Sequence, residues 1–274
     1  MIPNFYPNMP FEDYDRIDAV NYSSLKHLRR SPMYYRYRMD HPQEQTEAMQ
    51  IGSAAHHAIL EPDRIGDIAI WTGGRRYGKE WEAFKDDHAY QMILRQEDAA
   101  YVAGIAAAVH RNETARKYLR RGQSEVVVIW EAFGRLFKGR LDRWNSEGNL
   151  VLDLKTCRDC RPWTFGAQAH KLGYHIQMAM YVDGVKAVTG IAPSVRILAP
   201  ENKPPFESAV YRVPEDVLDL GRSEYITLLH RLIECETSGL WPPEIEDECD
   251  LQLPAYAFQD DDNDVSALDL QEEE

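Results

Sequence analysis

Asp142, Asp153 and Lys155 are the side chains of this chain whose types and spacing could work together on one substrate. They sit in two short strings, KGRLD at Lys138–Asp142 and LVLDLKT at Leu150–Thr156. Val151, Leu152 and Leu154 surround Asp153, the profile of a strand buried on both faces. A carboxylate there without a partner costs several kcal/mol or stays protonated. Strand alternation puts Asp153 and Lys155 on one face, roughly 7 Å apart. The polar turn NSEGN at Asn145–Asn149 lets an antiparallel hairpin bring Asp142 beside Asp153. An isolated Asp-x-Lys is usually a solvated ion pair of little weight. A second carboxylate at hairpin distance and the apolar flanks change that reading. Two carboxylates and an ammonium converging at a sheet edge suit a divalent metal and an anionic substrate, the chemistry of phosphodiester cleavage.

Positioning these groups requires strands, and the sequence places three in succession: Ser124–Phe133, Arg135–Trp144 and Leu150–Thr156. Before them, residues 1–20 are Pro- and Asp-rich and read as extended. A short helix starts at Ser23 or Ser24, either of which can cap it, and Ser31-Pro32 opens another turn. TEAMQIGSAAHHAIL, Thr46 to Leu60, is a third helix whose small residues allow close approach to a sheet. Gly52 and His56 share one of its faces. Residues 63–122 hold the glycine-containing loop TGGRRYGK and two expected helices, Lys79–Arg95 and Glu97–Leu119, and read as a helical insertion. After the strands come one long helix from Trp163 to about Val188, strands at Ser194–Leu198 and Ser208–Val213, and a helix at Pro214–Ser238. LQLPAYAF (251–258) is the last segment expected to pack, and Gln259–Glu274 is an acidic tail expected to be disordered. Thus 1–258 form a single domain.

A chain of 274 residues suffices for one large α/β domain or two small ones. No apolar run reaches the length of a membrane span, and the N-terminus lacks the basic flank and apolar core of a signal peptide, so a cytoplasmic location is expected. Cys157 and Cys160 form a CxxC, but Cys235 and Cys249 are widely split. Four-cysteine zinc sites normally show two tight pairs, so free thiols are expected. The net charge of −14 argues against a polyanionic partner until it is located along the chain. From Pro242 onward there are thirteen acids and no Lys or Arg, which leaves about −1 for the rest. Positive charge is clustered at Lys26, Arg29, Arg30, Arg36 and Arg38, at Arg75, Arg76 and Lys79, and between Arg111 and Arg121. Such clusters are usually solvated helix faces; beside a metal site they become candidate phosphate contacts.

The order helix, strand, strand with Asp, strand with Asp-x-Lys, helix, strand resembles the PD-(D/E)XK nuclease superfamily. More narrowly, the chain resembles the exodeoxyribonuclease VIII (RecE-type) nuclease domain of phages and prophages. NYSSLKHLRRSPMYYRY resembles that family's entry motif, and IGSAAHHAILEP its Gly-Ser-Ala-x-His helix. KGRLD with LDLKT resembles its metal-binding pair, and YHIQMAMY its Tyr-x-x-Gln-x-x-x-Tyr helix. The likeness runs from about residue 20 to 258. It implies an α/β, restriction-endonuclease-like core: a central mixed sheet flanked by helices. Asp142 and Asp153 would then bind Mg²⁺ or Mn²⁺, and Lys155 would act on the attacking water and the phosphate. By the same resemblance His56 completes or borders the metal shell, with His57 a capping or core residue. Glu125 is either a further carboxylate ligand or an ordinary strand-end acid. Gln177 would contact phosphate or Lys155 from a face shared with Tyr174 and Tyr181. Candidate DNA contacts are Arg29, Arg30, Arg75, Arg76, Lys79, Tyr174 and Tyr181.

What the resemblance implies is a metal-dependent exonuclease acting on double-stranded DNA ends, 5′ to 3′, leaving 3′ single strands. It also implies a single-strand annealing recombinase as partner and a homo-oligomer, a tetrameric ring. A restriction- or repair-type endonuclease would use the same core. A non-catalytic DNA-binding recombination subunit would show loss of Asp142, Asp153 or Lys155, and all three are present.

Overall fold

The computed structural model describes residues 1–42 and 46–254. In chain order its elements are β1 (Asn4–Tyr6), α1 (Phe11–Arg16), α2 (Tyr22–Leu25), α3 (Pro32–Asp40), α4 (Glu47–Leu60), β2 (Ile68–Trp71), α5 (Lys79–Asp87) and β3 (Met92–Arg95). They continue with α6 (Gln96–Arg111), α7 (Glu113–Leu119), β4 (Gln123–Ala132), β5 (Arg135–Asn145), β6 (Leu150–Leu154), α8 (Pro162–Leu172) and α9 (Tyr174–Thr189). β7 (Ser194–Pro200), β8 (Ser208–Arg212) and α10 (Glu215–Ser238) close the series.

Six strands form one mixed sheet in the order β1-β4-β5-β6-β7-β8. All neighbours are antiparallel except β6 and β7, which run parallel because α8 and α9 carry the chain back between them. β4 and β5 are joined by Phe133 and Gly134, both with positive φ (53° and 68°), the two-residue turn that matches strand twist. One apolar layer packs Val126, Val128, Trp130, Leu141 and Val151 against Ile176, Met180 and Leu229 of α9 and α10. The other packs Leu150, Leu152 and Leu154 against Ala55 and Ile59 of α4 and Ile105 and Val109 of α6. β6 is thus buried from both sides, as its unbroken apolar run requires.

Several local expectations are corrected. Residues 1–20 are not simply extended: β1 adds an edge strand to β4, and α1 follows. Asn21, not Ser23 or Ser24, caps α2 by accepting the Ser24 amide at 3.0 Å. The insertion is not purely helical. The expected helix Lys79–Arg95 ends at Asp87, and Met92–Arg95 pairs in parallel with Ile68–Trp71. The helix expected over Glu97–Leu119 breaks at Asn112, whose side chain caps α7 by accepting the Ala115 amide. The long helix expected over 163–188 breaks at Gly173, where φ is +70°. A Cβ there would lie 2.0 Å from the Tyr22 hydroxyl, which donates to Leu172 O, while Arg29 donates to the His170 and Lys171 carbonyls. Gly52 makes no close approach to the sheet: a Cβ built on it meets nothing within 4 Å. Of the expected last packed segment, Leu251 and Leu253 are exposed, and 255–258 lie outside the described residues, as does the tail 259–274.

Candidate metal centre and nucleic-acid groove

The register of the sheet places three acids in one row across three strands. Ser124↔Arg143 and Val126↔Leu141 flank the position where Glu125 faces Asp142. Arg143↔Leu152 stops one step short of where Asp142 faces Asp153. The ladder omits the row on both sides. Alternation also inverts across it. Val126 and Leu141 join the α9 layer, whereas Ser124 donates to Leu60 O of α4 and Arg143 donates to Ser124. Residues two apart on a regular strand share a face. Here they do not, because Glu125 takes φ +55°, a left-handed residue that twists β4 without shifting its register against β5. That conformation costs a non-glycine residue about 1–3 kcal/mol and is characteristic of functional positions. The sheet opens where the carboxylates converge.

Asp142 Oδ2 accepts the Leu154 amide at 2.6 Å, a side chain filling the place of a ladder bond. Asp153 is wholly buried, and neither carboxylate oxygen receives a well-directed hydrogen bond. Its one close polar contact among the described residues is an ion pair, Lys155 Nζ to Oδ2 at 2.7 Å. Lys155 stands just past β6, with its amide donating to Leu198 O of β7 and its ammonium 5.3 Å from the Tyr174 ring centre. From α4, His56 Nε2 lies 3.0 Å from Leu154 O. A carbonyl only accepts, so Nε2 carries the proton and Nδ1 keeps its lone pair, 3.7 Å from Asp142 Oδ2. This is how a ligating histidine is commonly held, its far N–H on a backbone carbonyl. Ligand atoms of His56, Glu125 and Asp142 all lie within 4.8 Å of one another.

The electrostatics match. Burial, with Asp142 next, pushes Glu125 up to about 8 although Arg140 pairs with it at 2.8 Å. Burial pushes Asp153 up to about 6 against the pull of Lys155, and Asp142 is raised for the same reason. Burial, then Lys155, lowers His56 to about 4, so the ring is neutral. Burial would also depress Lys155, but Asp153 and Asp142 outweigh it and hold the ammonium charged. Two carboxylates and one imidazole converge here, and Asp153, outside that group but facing Asp142 from the next strand, is a buried carboxylate short of donors; together they fit a divalent cation that favours oxygen ligands.

Beside Lys155 opens a groove of about 750 Å³ whose walls include Lys26, Arg29, Arg30, Lys171, Tyr174 and Gln177. Arg29 is partly engaged by the α8 carbonyls, and Arg30 lies over the Tyr34 ring. Gln177 Nε2 donates to Tyr181 Oη at 2.8 Å, and that hydroxyl donates to Arg140 O at 2.8 Å. Tyr181 is 7% exposed, so the DNA contact expected of it is corrected to packing against β5, where its ring covers Gly139. Arg75, Arg76 and Lys79 sit on the insertion, outside this groove; Arg76 donates to Ile93 O and Arg75 lies over Tyr77. His57 faces Glu61 one turn on, at 3.4 Å. Sequence reasoning missed Arg140, the Glu125 partner, although its i, i+2 spacing from Asp142 was a signal. The four cysteines are free thiols.

A solved structure described as "Putative exonuclease" from Eubacterium rectale is similar over 91% of this chain and 96% of its own, with a TM-score of 0.65 and 18% identity. At that identity the likeness is one of fold. A phage related exonuclease from Haemophilus somnus 129PT covers 81% of this chain and 96% of its own, with a TM-score of 0.35 and 12% identity. No curated protein matches the sequence. The family model described as a PDDEXK-like domain of unknown function (DUF3799) matches residues 21–252. That span contains the acidic row, Lys155 and the groove, and this chain belongs to that PDDEXK-like family.

Proposed function

We propose that the chain is a metal-dependent exodeoxyribonuclease that hydrolyses phosphodiesters from double-stranded DNA ends. The observation that carries it is the row Glu125–Asp142–Asp153, left out of the ladder with Lys155 against it. Asp142 and Asp153 hold the ion, Mg²⁺ or Mn²⁺, with His56 Nδ1 and Glu125 at its border. When bound, it supplies Lewis-acid stabilisation of the phosphate and a more acidic water. Lys155 orients the water and offsets charge growing on the phosphate oxygens. Gln177, fixed by Tyr181, points a polar group into the groove beside it. Lys26, Arg29, Arg30 and Lys171 hold backbone phosphates without reading sequence. Arg75, Arg76 and Lys79 extend the contact along the duplex. The resemblance adds 5′-to-3′ polarity, a 3′ single strand for an annealing recombinase, a ring-shaped oligomer and a cytoplasmic setting.

The test is digestion of a linear duplex, labelled at either the 5′ or the 3′ end, beside a closed circle, with Mg²⁺ and with EDTA. The linear DNA should shorten progressively only with metal, the 5′ label should be released first, and the circle should survive. Nicking of the circle, or discrete internal fragments, would replace this reading with an endonuclease. Full activity in EDTA would remove the metal from it.

A further inference from the structure

On the far side of the α8–α9 break lies a second cluster with metal-ligand chemistry, unlike the acidic row in its donors. His170 comes from the last turn of α8, His175 from the first turn of α9, and Glu224 from α10. One ligand atom from each lies within 4.8 Å of the other two. His175 is 5% exposed, and its Nε2 stands 3.0 Å from Glu224 Oε1. His170 is exposed, and its ring stacks on that of His175 at 5.4 Å between centres. Solvent therefore reaches the cluster from the His170 side.

A buried imidazole satisfied by one carboxylate accounts for His175 and Glu224. It does not account for the third donor, which the fold brings alongside from across a helix break. Two features enforce that convergence. Gly173 turns the chain with φ +70°, so His170 and His175 meet instead of diverging along one helix. Gly221 lets α10 approach so closely that a Cβ there would lie 2.3 Å from His175 O, which sets Glu224, one turn on, against the ring. Around a tetrahedral zinc with bonds of about 2.0–2.1 Å, ligand atoms stand roughly 3.3 Å apart. The 3.0 Å pair already has that spacing, and the third donor is within a rotamer adjustment of it. Nearby positive charge opposes a cation, but Arg29 directs its guanidinium onto the His170 and Lys171 carbonyls.

We propose that His170, His175 and Glu224 form a transition-metal site, of the His₂Glu type suited to Zn²⁺, separate from the oxygen-rich nuclease centre. Two imidazoles and one carboxylate favour zinc over magnesium, which prefers all-oxygen sets. An ion there staples α8 and α10 to the start of α9. Tyr174 and Gln177, which flank His175, face the groove beside Lys155, so occupancy fixes the wall of that groove.

The test uses the full chain with Asp142→Asn and His56→Ala, which disables the first centre, stripped with EDTA and reloaded with ZnCl₂ in slight excess. Bound zinc is measured after gel filtration. His170→Ala on this background removes an exposed donor without touching the core, and Glu224→Gln keeps size. The proposal expects each to lose about one equivalent of zinc and to abolish a zinc-dependent rise in Tm. The buried thiols Cys157 and Cys160, near Glu201 and Glu207, are the rival zinc site. Zinc retained equally by His170→Ala and Glu224→Gln, or no zinc retained by the background, overturns the proposal.

Discussion

Asp153 bears the strongest demand at the site, since a wholly buried carboxylate lacks donors other than one ammonium. Asp153→Asn keeps size and removes charge, so cleavage should fall by more than about 100-fold while Tm holds or rises. Wild-type rates from the folded variant would refute the assignment. Glu125→Gln separates the two readings of that residue. As a ligand it should cost about 10- to 100-fold, whereas a strand-end acid should cost nothing. A further outcome concerns protonation. Glu125 and Asp153 are raised to about 8 and about 6, so in EDTA the folded protein binds protons that the unfolded chain releases near pH 4. Burial of His56 and His27, each lowered to about 4, opposes this between pH 4 and 6.5, so metal-free stability should change little there and fall from about pH 6.5 towards pH 8, where divalent metal should raise Tm most. A metal-free Tm that climbs over that upper window contradicts the burial described here. Asp142, Asp153 and Lys155 were legible because alternation and apolar flanks single them out. Glu125 was legible only as one of two alternatives, because regular alternation cannot reveal the left-handed residue that turns it into the row.

At the scale of elements, the β4–β5–β6 meander was readable from apolar runs separated by turn residues. The breaks in the helices were not. A single glycine or asparagine in a helical pattern carries too little propensity to announce a break. What decides the matter is tertiary: Tyr22 and Arg29 hold the α8 carbonyls from 141 or more positions away. The parallel pair β2–β3 was hidden because its strands are four residues long and one abuts a helix-forming stretch. Gly173→Ala tests the first break. It forces the left-handed region on a residue with a Cβ and drives that Cβ into the Tyr22 hydroxyl. Destabilisation of about 2 kcal/mol or more is expected, read as a fall in Tm of several degrees. Unchanged stability would mean that α8 and α9 can run on as one helix.

Across the whole molecule the formal charge of −14 is misleading, because the groove beside Lys155 is lined by cations while the acids concentrate after Pro242. Among the described residues no helix is long and apolar enough to cross a membrane. Removing residues 259–274 deletes eight acids and no base, moving the formal charge from −14 to −6. Acting as a competitor for the basic groove, the tail should weaken DNA binding. Truncation should therefore tighten it at low salt, with the gain fading as ionic strength rises. Equal affinity of both forms at low salt would remove that role, and loss of a recombinase partner on truncation would reassign the tail to docking.

The parallel pairing of β6 and β7 sets the time at which the active site can exist. Every proposed ligand of the acidic centre and Lys155 has been synthesised by residue 155, yet Lys155 is pinned through its amide to Leu198, and β6 has no neighbour on that side until β7 arrives. A nascent chain still short of β7 carries all the reactive groups on an unfinished sheet. The ribosome must deliver some forty further residues before they are clamped together. On the proposed function, a cell making this protein is thereby spared a working nuclease on every incomplete polypeptide.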